Sequence, residues 1–331
     1  MRIISFTDKG QRLAATLARE LGGSYCRCGE GVTLAGWTRE GFEKGEDLVF
    51  VGAAGIAVRA IAPHVVSKAQ DPAVVVVDEC AFHAISLLSG HLGGANELTL
   101  RVAGACGAEP VITTATDCNG VFAIDSWAAR QGCAVANPGR IKNVSAKLLA
   151  GKEALLTAEL PIAGESPAGM RVVPLDKLAG EKPDVVVTWR HGVAQDTLHV
   201  VPRIVTLGVG CRRDTPFEVI EERFALFCEE CDLAPEAVAR VCSIDLKAGE
   251  PGLLRFCEER GWQLETYSAE ALAAVEGSFT ASSFVAQTVG VDNVCERAAV
   301  LGSKGALAVK KHAGDGVTFA AALAPCHLRW D

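Results

Sequence analysis

Apolar residues along this chain follow two rhythms. Arg2–Phe6 is a short apolar run, after which Leu13, Leu17 and Leu21 recur every fourth position until Gly22-Gly23. A strand followed by a helix with one buried stripe predicts that pattern, and the glycine pair ends the helix. Asp47–Gly52 reads as a second strand, and Ile56–Ile61 as a helix that Pro63 stops. Ala73–Val77 is a continuous β-branched run, the mark of a strand covered on both faces. Ala84–Leu88 is a further strand, and Gly93–Cys106 a helix with Leu98, Val102 and Ala105 on one face. Pro110–Thr114 and Phe122–Arg130 repeat the strand and helix pair. Such alternation predicts an α/β fold, with a mostly parallel open sheet and flanking helices over residues 1–136.

From Asn137 the texture changes. PGRIKNVSAKLLAG reads as a helix, while Glu153–Ala158 and Asp184–Arg190 are strand-like. Between them lies the Pro- and Gly-containing stretch LPIAGESPAGMRVVPL, so residues 137–202 read as a small middle module or connector. A second α/β domain with a mixed sheet is expected over 203–331. Val205–Val209 is its first strand. Thr215, Pro216 and Glu218 then form a helix-start signature, with Thr215 as N-cap, Pro216 at the first helical position and Glu218 closing a capping box. Phe217, Ile220, Phe224 and Phe227 give that helix a buried stripe. Leu253–Arg260 reads as a helix, Gln263–Tyr267 as a strand, and Ala306–Lys310 with Val317–Ala322 as a hairpin turned at Ala313-Gly314-Asp315-Gly316.

A length of 331 residues fits two domains at about 150 residues each. With 49% hydrophobic and 22% charged residues, the chain has enough apolar surface to fold and is not disordered. No apolar run approaches the roughly 20 residues a membrane span needs. Asp8, Lys9 and Arg12 interrupt any signal-peptide core, so a cytoplasmic location is expected. A net charge of −8 and only 6% aromatics argue against nucleic acid as a partner. The 13 cysteines include Cys26-x-Cys28 and a lone Cys228-x-x-Cys231, spacings that do not make a zinc site, so reduced thiols packed as small hydrophobes are expected and no protein-bound metal.

The densest candidate segment is ISLLSGHLGGANEL, Ile85–Leu98. A buried strand runs into Ser89-Gly90-His91, then Gly93-Gly94, then a helix opening at Asn96 and Glu97. Glycines after a strand let backbone approach a ligand, and a helix start offers N–H groups to an anion. The pattern is neither GxGxxG nor a Walker loop, and His91 is its titrating group. Two more loops are expected at the same sheet edge: GAAGIAVRAIAP with Gly55 and Arg59, and TTATDCNG with Asp117. Arg59 reads equally as a surface ion-pair residue, and Asp117 as a turn residue. Lys68 lies near the first of these loops. In the second α/β domain, LGVGCRRDTP carries Gly208, Gly210, Arg212 and Arg213, a carboxylate or phosphate clamp or else a solvated charged loop. SIDLK, with Lys247, and FTASSFVAQTVGV add polar loops. No GxSxG elbow is present, so Ser89 is not expected to be a nucleophile.

These strings resemble a known family. GIAVRAIAPHVVSKAQDPAVVVVDE, ISLLSGHLGGANEL and PVITTATD, in that order, are similar to the CbiG family, the cobalt-precorrin-5A hydrolases. LGVGCRRDTP, SIDLKAGEPGL and VGVDNVCERAAV resemble its C-terminal domain, which is also found in CobE proteins. The family often carries a proline after the glutamate where this chain has Glu296-Arg297. The resemblance implies an enzyme of anaerobic cobalamin biosynthesis. It implies a cobalt-corrinoid substrate, water opening of the ring-A δ-lactone, and release of acetaldehyde to give cobalt-precorrin-5B.

On that chemistry His91 is expected to be the base, with Asp117 as a second candidate and Gly93-Gly94 N–H groups holding the oxyanion. Gly55, Arg59, Lys68, Ser89, Gly90, Gly93, Gly94, Asn96, Gly208, Gly210, Arg212, Arg213 and Lys247 are the expected substrate contacts. Cobalt arrives in the substrate and no protein cofactor is expected, since the macrocycle can take up the electrons. His64, His83 and His91 are weighed as axial ligands to cobalt, and none is favoured. Neighbouring pathway enzymes and a homo-oligomer stay open as partners. Two alternatives stand: a corrinoid carrier that cleaves nothing, and a phosphosugar enzyme with phosphate-cradling loops.

Overall fold

A computed structural model describes residues 1–29, 31–67, 70–178, 180–281 and 292–330. The chain forms two compact units, one of residues 1–129 with 145–152, the other of residues 130–144 with 153–331.

The first unit opens with β1 (Arg2–Ser5), α1 (Asp8–Leu21), β2 (Ser24–Arg27), α2 (Leu34–Glu43), β3 (Leu48–Val51), α3 (Ala54–Ile61) and β4 (Val74–Val77). It continues with β5 (His83–Leu88), α4 (Ala95–Cys106), β6 (Glu109–Val111), α5 (Ala115–Cys118) and α6 (Ile124–Arg130). Six strands form one sheet in the order β2-β1-β3-β4-β5-β6. The apolar runs explain the layering. Ile3, Val49, Val51, Val75 and Val77 pack beneath α1 and α4 on one face. Ile4, Leu48, Phe50, Val74 and Val76 meet Trp37 of α2 and Ala57 and Ile61 of α3 on the other. Strands covered on both sides have no polar face to show, hence LVFV and VVVV.

The sheet is parallel from β2 to β4, but β4 pairs antiparallel with β5, and β5 pairs parallel with β6. The strands after Val77 therefore end at the edge opposite to the earlier ones. Three elements of this unit go beyond the sequence reading: β2 is a half-exposed edge strand without an apolar run, α2 follows it before β3, and α5 is a single turn inside the TTATDCNG loop.

The second unit holds β7 (Cys133–Val135), α7 (Ile141–Leu149, whose last turns belong to the first unit), β8 (Ala154–Ala158), β9 (Ile162–Ala163), β10 (Met170–Pro174), β11 (Val185–Val187) and β12 (Leu198–Pro202). It then runs through β13 (Val205–Cys211), α8 (Phe217–Glu230), β14 (Val238–Ile244), α9 (Pro251–Glu259), β15 (Leu264–Tyr267), α10 (Ala269–Ala273), α11 (Cys295–Ser303), β16 (Ala306–Gly314), β17 (Val317–Leu323) and β18 (Leu328–Arg329). One sheet has the order β10-β8-β11-β12-β7, the other β15-β14-β13-β17-β16, and β18 pairs with β9. Strands β13, β14 and β15 are parallel, while β16 and β17 form the expected antiparallel hairpin.

The capping box does not form. Pro216 itself is the N-cap of α8, without a side-chain bond, and the Thr215 hydroxyl turns back to donate to the Arg212 carbonyl at 2.8 Å. Val205, Leu207 and Val209 face α8 and α9, whose Phe224 and Phe256 join Phe319 in an aromatic core, with Phe224 edge-to-face to both of the other rings. Cys228, Cys242, Cys257 and Cys295 are buried, and burial pushes the thiols of Cys228, Cys242 and Cys257 up to about 12. At that level they pack as neutral small hydrophobes.

Candidate functional site

Parallel β5 and β6 end at one edge of the first unit's sheet, and the loops that leave them meet there. After β5 the chain turns through Ser89, held at φ 60°, and Gly94, at φ 81°. The Gly94 N–H donates to the His91 carbonyl at 2.9 Å, and the Ala95 N–H to the Ser89 carbonyl at 3.0 Å. Gly93 is required by close approach: a Cβ there would sit 2.3 Å from that of Ser89 and 3.1 Å from the Asp71 carbonyl. This tight turn sets the His91 ring against α5 and α6.

The ring lies between two carboxylates. Nε2 is 2.7 Å from Asp117 Oδ2, and Nδ1 is 3.3 Å from Asp125 Oδ2. Thr116 Oγ1 stands 3.2 Å from the same Nε2. The Thr114 hydroxyl donates to Asp117 Oδ2, and the Asn96 amide donates to Thr114 Oγ1 at 3.0 Å and to Asp117 Oδ2 at 3.2 Å. Asn96 Oδ1 in turn accepts from Ser86 at 2.7 Å. Asp117 is 41% exposed, His91 15% and Asp125 5%. The cluster thus runs from a half-open carboxylate, through the imidazole, to a buried carboxylate.

That geometry fixes the charge on His91. The hydrogen bond to Asp125 is the largest influence. Burial opposes it, but the charge of Asp125 and the contact with Asp117 outweigh burial and raise the imidazole to about 9. Burial pushes the Asp117 carboxyl up, yet hydrogen bonds from Thr114 and His91 hold it below the ordinary range. At neutral pH the site therefore presents an imidazolium flanked by a carboxylate. It can donate a proton from the ring and orient water on the carboxylate. A free imidazole base, as the sequence suggested for His91, is not the resting state.

The expected contacts divide. His91 and Asp117 are brought together with Gly90, Gly93 and Gly94. Gly90 lies where a Cβ would meet Asn96 Oδ1 at 2.9 Å, so its role is close packing. Asn96 is buried and tethers Asp117 rather than facing a ligand. The Ser89 hydroxyl is buried without a hydrogen-bond partner among the described residues, which removes it from ligand contact as well as from nucleophilic attack. Gly94 cannot hold an oxyanion with an N–H already engaged by His91. Gly55 and Arg59 are exposed at the opposite edge, after β3, where the Arg59 guanidinium donates to the Gly55 carbonyl at 3.2 Å. The antiparallel β4–β5 pair is the physical reason that the three loops do not make one pocket. Lys68 lies outside the described residues.

Sequence reasoning missed Asp125, Thr114 and Thr116. Asp125 carried a signal: it is a carboxylate between Ile124 and Trp127 on a helix face that is otherwise apolar and buried.

In the second unit, the parallel strands β13, β14 and β15 end at a common edge. Arg212 and Arg213 are exposed there, and the Arg212 stem lies over Gly316 of the β16–β17 turn. Lys247 is not available as expected, because its ammonium pairs at 2.7 Å with Glu250, only 5% exposed, which also accepts from the Asp214 N–H. Gly208 is a packing residue: a Cβ would fall 1.8 Å from the Cys295 carbonyl of α11, so it is no ligand contact. Gly210 faces Thr318 on β17, where a Cβ would lie 2.6 Å from the Thr318 hydroxyl. The FTASSFVAQTVGV loop lies outside the described residues from 282 onward. Among the described residues no cluster of His, Cys, Asp and Glu has a metal-holding arrangement, and no helix is long and apolar enough to cross a membrane.

Three family descriptions match the chain: "Cobalamin synthesis G N-terminal" over residues 36–117, "Cobalamin biosynthesis central region" over 122–202 and "Cobalamin synthesis G C-terminus" over 205–322. A cobalt-precorrin-5A hydrolase of Salmonella typhimurium is 40% identical over 300 residues, covering 86% of this chain and 84% of the relative. One from Priestia megaterium is 33% identical over 304 residues, covering 86% and 80%. Among solved structures, a cobalamin biosynthesis protein G homolog from Sulfolobus solfataricus covers 98% of this chain and 97% of its own, at 20% identity and a TM-score of 0.41.

Proposed function

The chain belongs to the cobalamin synthesis G (CbiG) family, and from that premise we infer that it is a hydrolase of cobalt-precorrin-5A whose proton transfers centre on His91. Kinship to relatives named for that hydrolysis, 40% and 33% identical across most of both chains, carries the activity. The paired carboxylates around His91 support the choice of centre.

Lactone hydrolysis needs a proton acceptor for the attacking water and a donor for the departing alkyl oxygen. Asp117 is the acceptor: its side-chain hydrogen bonds among the described residues all fall on Oδ2. His91, charged at rest, is the donor. Water attacks the lactone carbonyl, its proton passes to Asp117, and the C–O bond breaks as His91 protonates the alkyl oxygen. His91 is then neutral, and so becomes the base for the second step. It takes back the new hydroxyl's proton while the adjacent C–C bond breaks. Acetaldehyde leaves, and the macrocycle takes the electron pair. The substrate's cobalt and ring serve as the electron sink, so no cofactor of the protein enters. His91 ends as it began, and Asp117, exposed to solvent, gives the water-derived proton to bulk water, which resets the pair. In the second unit, Arg212 and Arg213 present exposed guanidiniums of the kind that pair with carboxylates.

Incubation with cobalt-precorrin-5A and an acetaldehyde assay tests the reading. The wild type releases acetaldehyde, and His91→Gln lowers kcat by roughly a thousandfold. Tight binding without acetaldehyde would instead establish a carrier. Competition by inorganic phosphate would favour a phosphosugar enzyme. Near wild-type kcat in His91→Gln would remove His91 from the chemistry.

A further inference from the structure

We propose that Asp125 is the positioning residue of this site, fixing the plane of the His91 ring and keeping both ring nitrogens as donors. The inference rests on the hydrolase reading and deepens it. Two charged groups face the ring among the described residues, Asp117 from α5 and Asp125 from α6, and their surroundings differ. Asp117 is 41% exposed on the open side, next to Thr116 and Thr114, where water and substrate screen it and compete for it. Asp125 is 5% exposed, on the first turn of a helix whose Ile124, Trp127 and Ala128 are buried around it. One of its oxygens accepts from the Ser126 N–H at 3.1 Å, which leaves the other aimed at His91 Nδ1, 3.3 Å away.

A buried carboxylate acts through a medium of low dielectric, so its hold on the ring is stronger than that of an exposed one at similar range. With Nδ1 fixed on the inner side, Nε2 is presented to the open side whatever Asp117 does. Asp117 is thereby free to release the ring and handle water, while Asp125 retains the orientation. Asp125 touches no reacting atom in this scheme. It acts through His91.

Histidine-ring ¹⁵N NMR on the full chain tests this without substrate, with His91 assigned by the signal missing from His91→Gln. The expected wild-type midpoint is about 9. Asp125→Asn brings that midpoint down by about one pH unit or more, and Asp117→Asn moves it less. With cobalt-precorrin-5A, Asp125→Asn loses about a hundredfold in kcat with KM within about twofold. Asp125→Glu keeps the high midpoint but lowers kcat, because the charge remains while the ring shifts. An unmoved midpoint in Asp125→Asn, or a larger move in Asp117→Asn, overturns the proposal. Should Asp125→Asn not fold, Asp125→Glu decides: wild-type kcat in that variant overturns it, and a lowered kcat at an unchanged midpoint upholds it. Failure of the hydrolase reading looks different, since the wild type itself would then release no acetaldehyde while the NMR titrations still report on the ring.

Discussion

His91 holds its proton because Asp125 and Asp117 hold the imidazolium, and the same pairing must leave a trace on stability. The folded ring is raised to about 9 from an ordinary 6.5. A raised histidine stabilises the fold fully below its unfolded value, and the contribution fades as pH rises through the folded one. Stability from this group is therefore complete below about pH 6.5 and gone above about pH 9. Its size is roughly 2 kcal/mol, a figure reduced from the full shift because Asp117 is 41% exposed and screened. Urea unfolding at pH 6, 7.5 and 9.5 checks this: the wild type loses stability across the window, and His91→Gln has a flatter profile. Parallel profiles would mean that the pairing contributes nothing to folding. Part of the site was legible in the residues. A histidine on a glycine-rich turn after a buried strand announced a titrating group, and Asp117 two loops on announced its partner. The charge state was not legible, because it depends on Asp125, whose place on an apolar helix face signals burial but not that it faces His91.

Strand direction explains most of what the sequence concealed at the level of elements. HAISLL and VVVV both read as buried strands, and nothing in their residues distinguishes parallel from antiparallel pairing. The connector does. Only residues 78–82 separate β4 from β5, whereas a parallel crossover needs about a dozen residues or more. A hairpin was therefore dictated, and with it the displacement of Gly55 and Arg59 from His91. The edge strand β2 escaped notice for a different reason: half-exposed on the sheet's rim, it has no apolar run. In the second unit a buried carboxylate organises the elements. Glu296, fully buried on α11, accepts from the Thr280 N–H at 2.7 Å, the Thr280 hydroxyl at 2.8 Å and the Lys311 N–H of β16 at 2.7 Å. Its neighbour Arg297 reaches the Leu272 and Val275 carbonyls at 3.2 and 2.8 Å around the end of α10. Replacing Glu296 with Gln turns one acceptor into a donor facing an N–H. The expected loss is roughly 2–3 kcal/mol, read as a lower denaturant midpoint with unchanged slope. An unchanged midpoint would show that these bonds contribute nothing net.

At the scale of the whole molecule, charge poses a problem that the fold must solve locally. The chain carries a net charge of −8, and the corrinoid expected as substrate carries many carboxylates of its own. Two such polyanions repel at long range, so binding depends on cations gathered where the ring is gripped. Lys247 is held by Glu250 and contributes little to that grip, whereas Arg212 and Arg213 stand exposed at the end of β13. Each guanidinium offers a planar fork to a carboxylate, and it offers the same fork before and during the reaction. An interaction equally strong in ground and transition states lowers KM and leaves kcat alone. Replacing both arginines with alanine is therefore expected to raise KM by roughly ten- to a hundredfold, at about 1 kcal/mol or somewhat more per exposed charged contact, with kcat within about twofold. The variant should also lose much of the wild type's dependence of KM on salt, since the attraction that salt screens has gone. Steady-state acetaldehyde release at about 50 and 300 mM salt measures both quantities. A fall in kcat with KM unchanged would put these arginines in the chemistry instead of the grip. A KM with the wild type's salt dependence would mean that the carboxylates are held elsewhere.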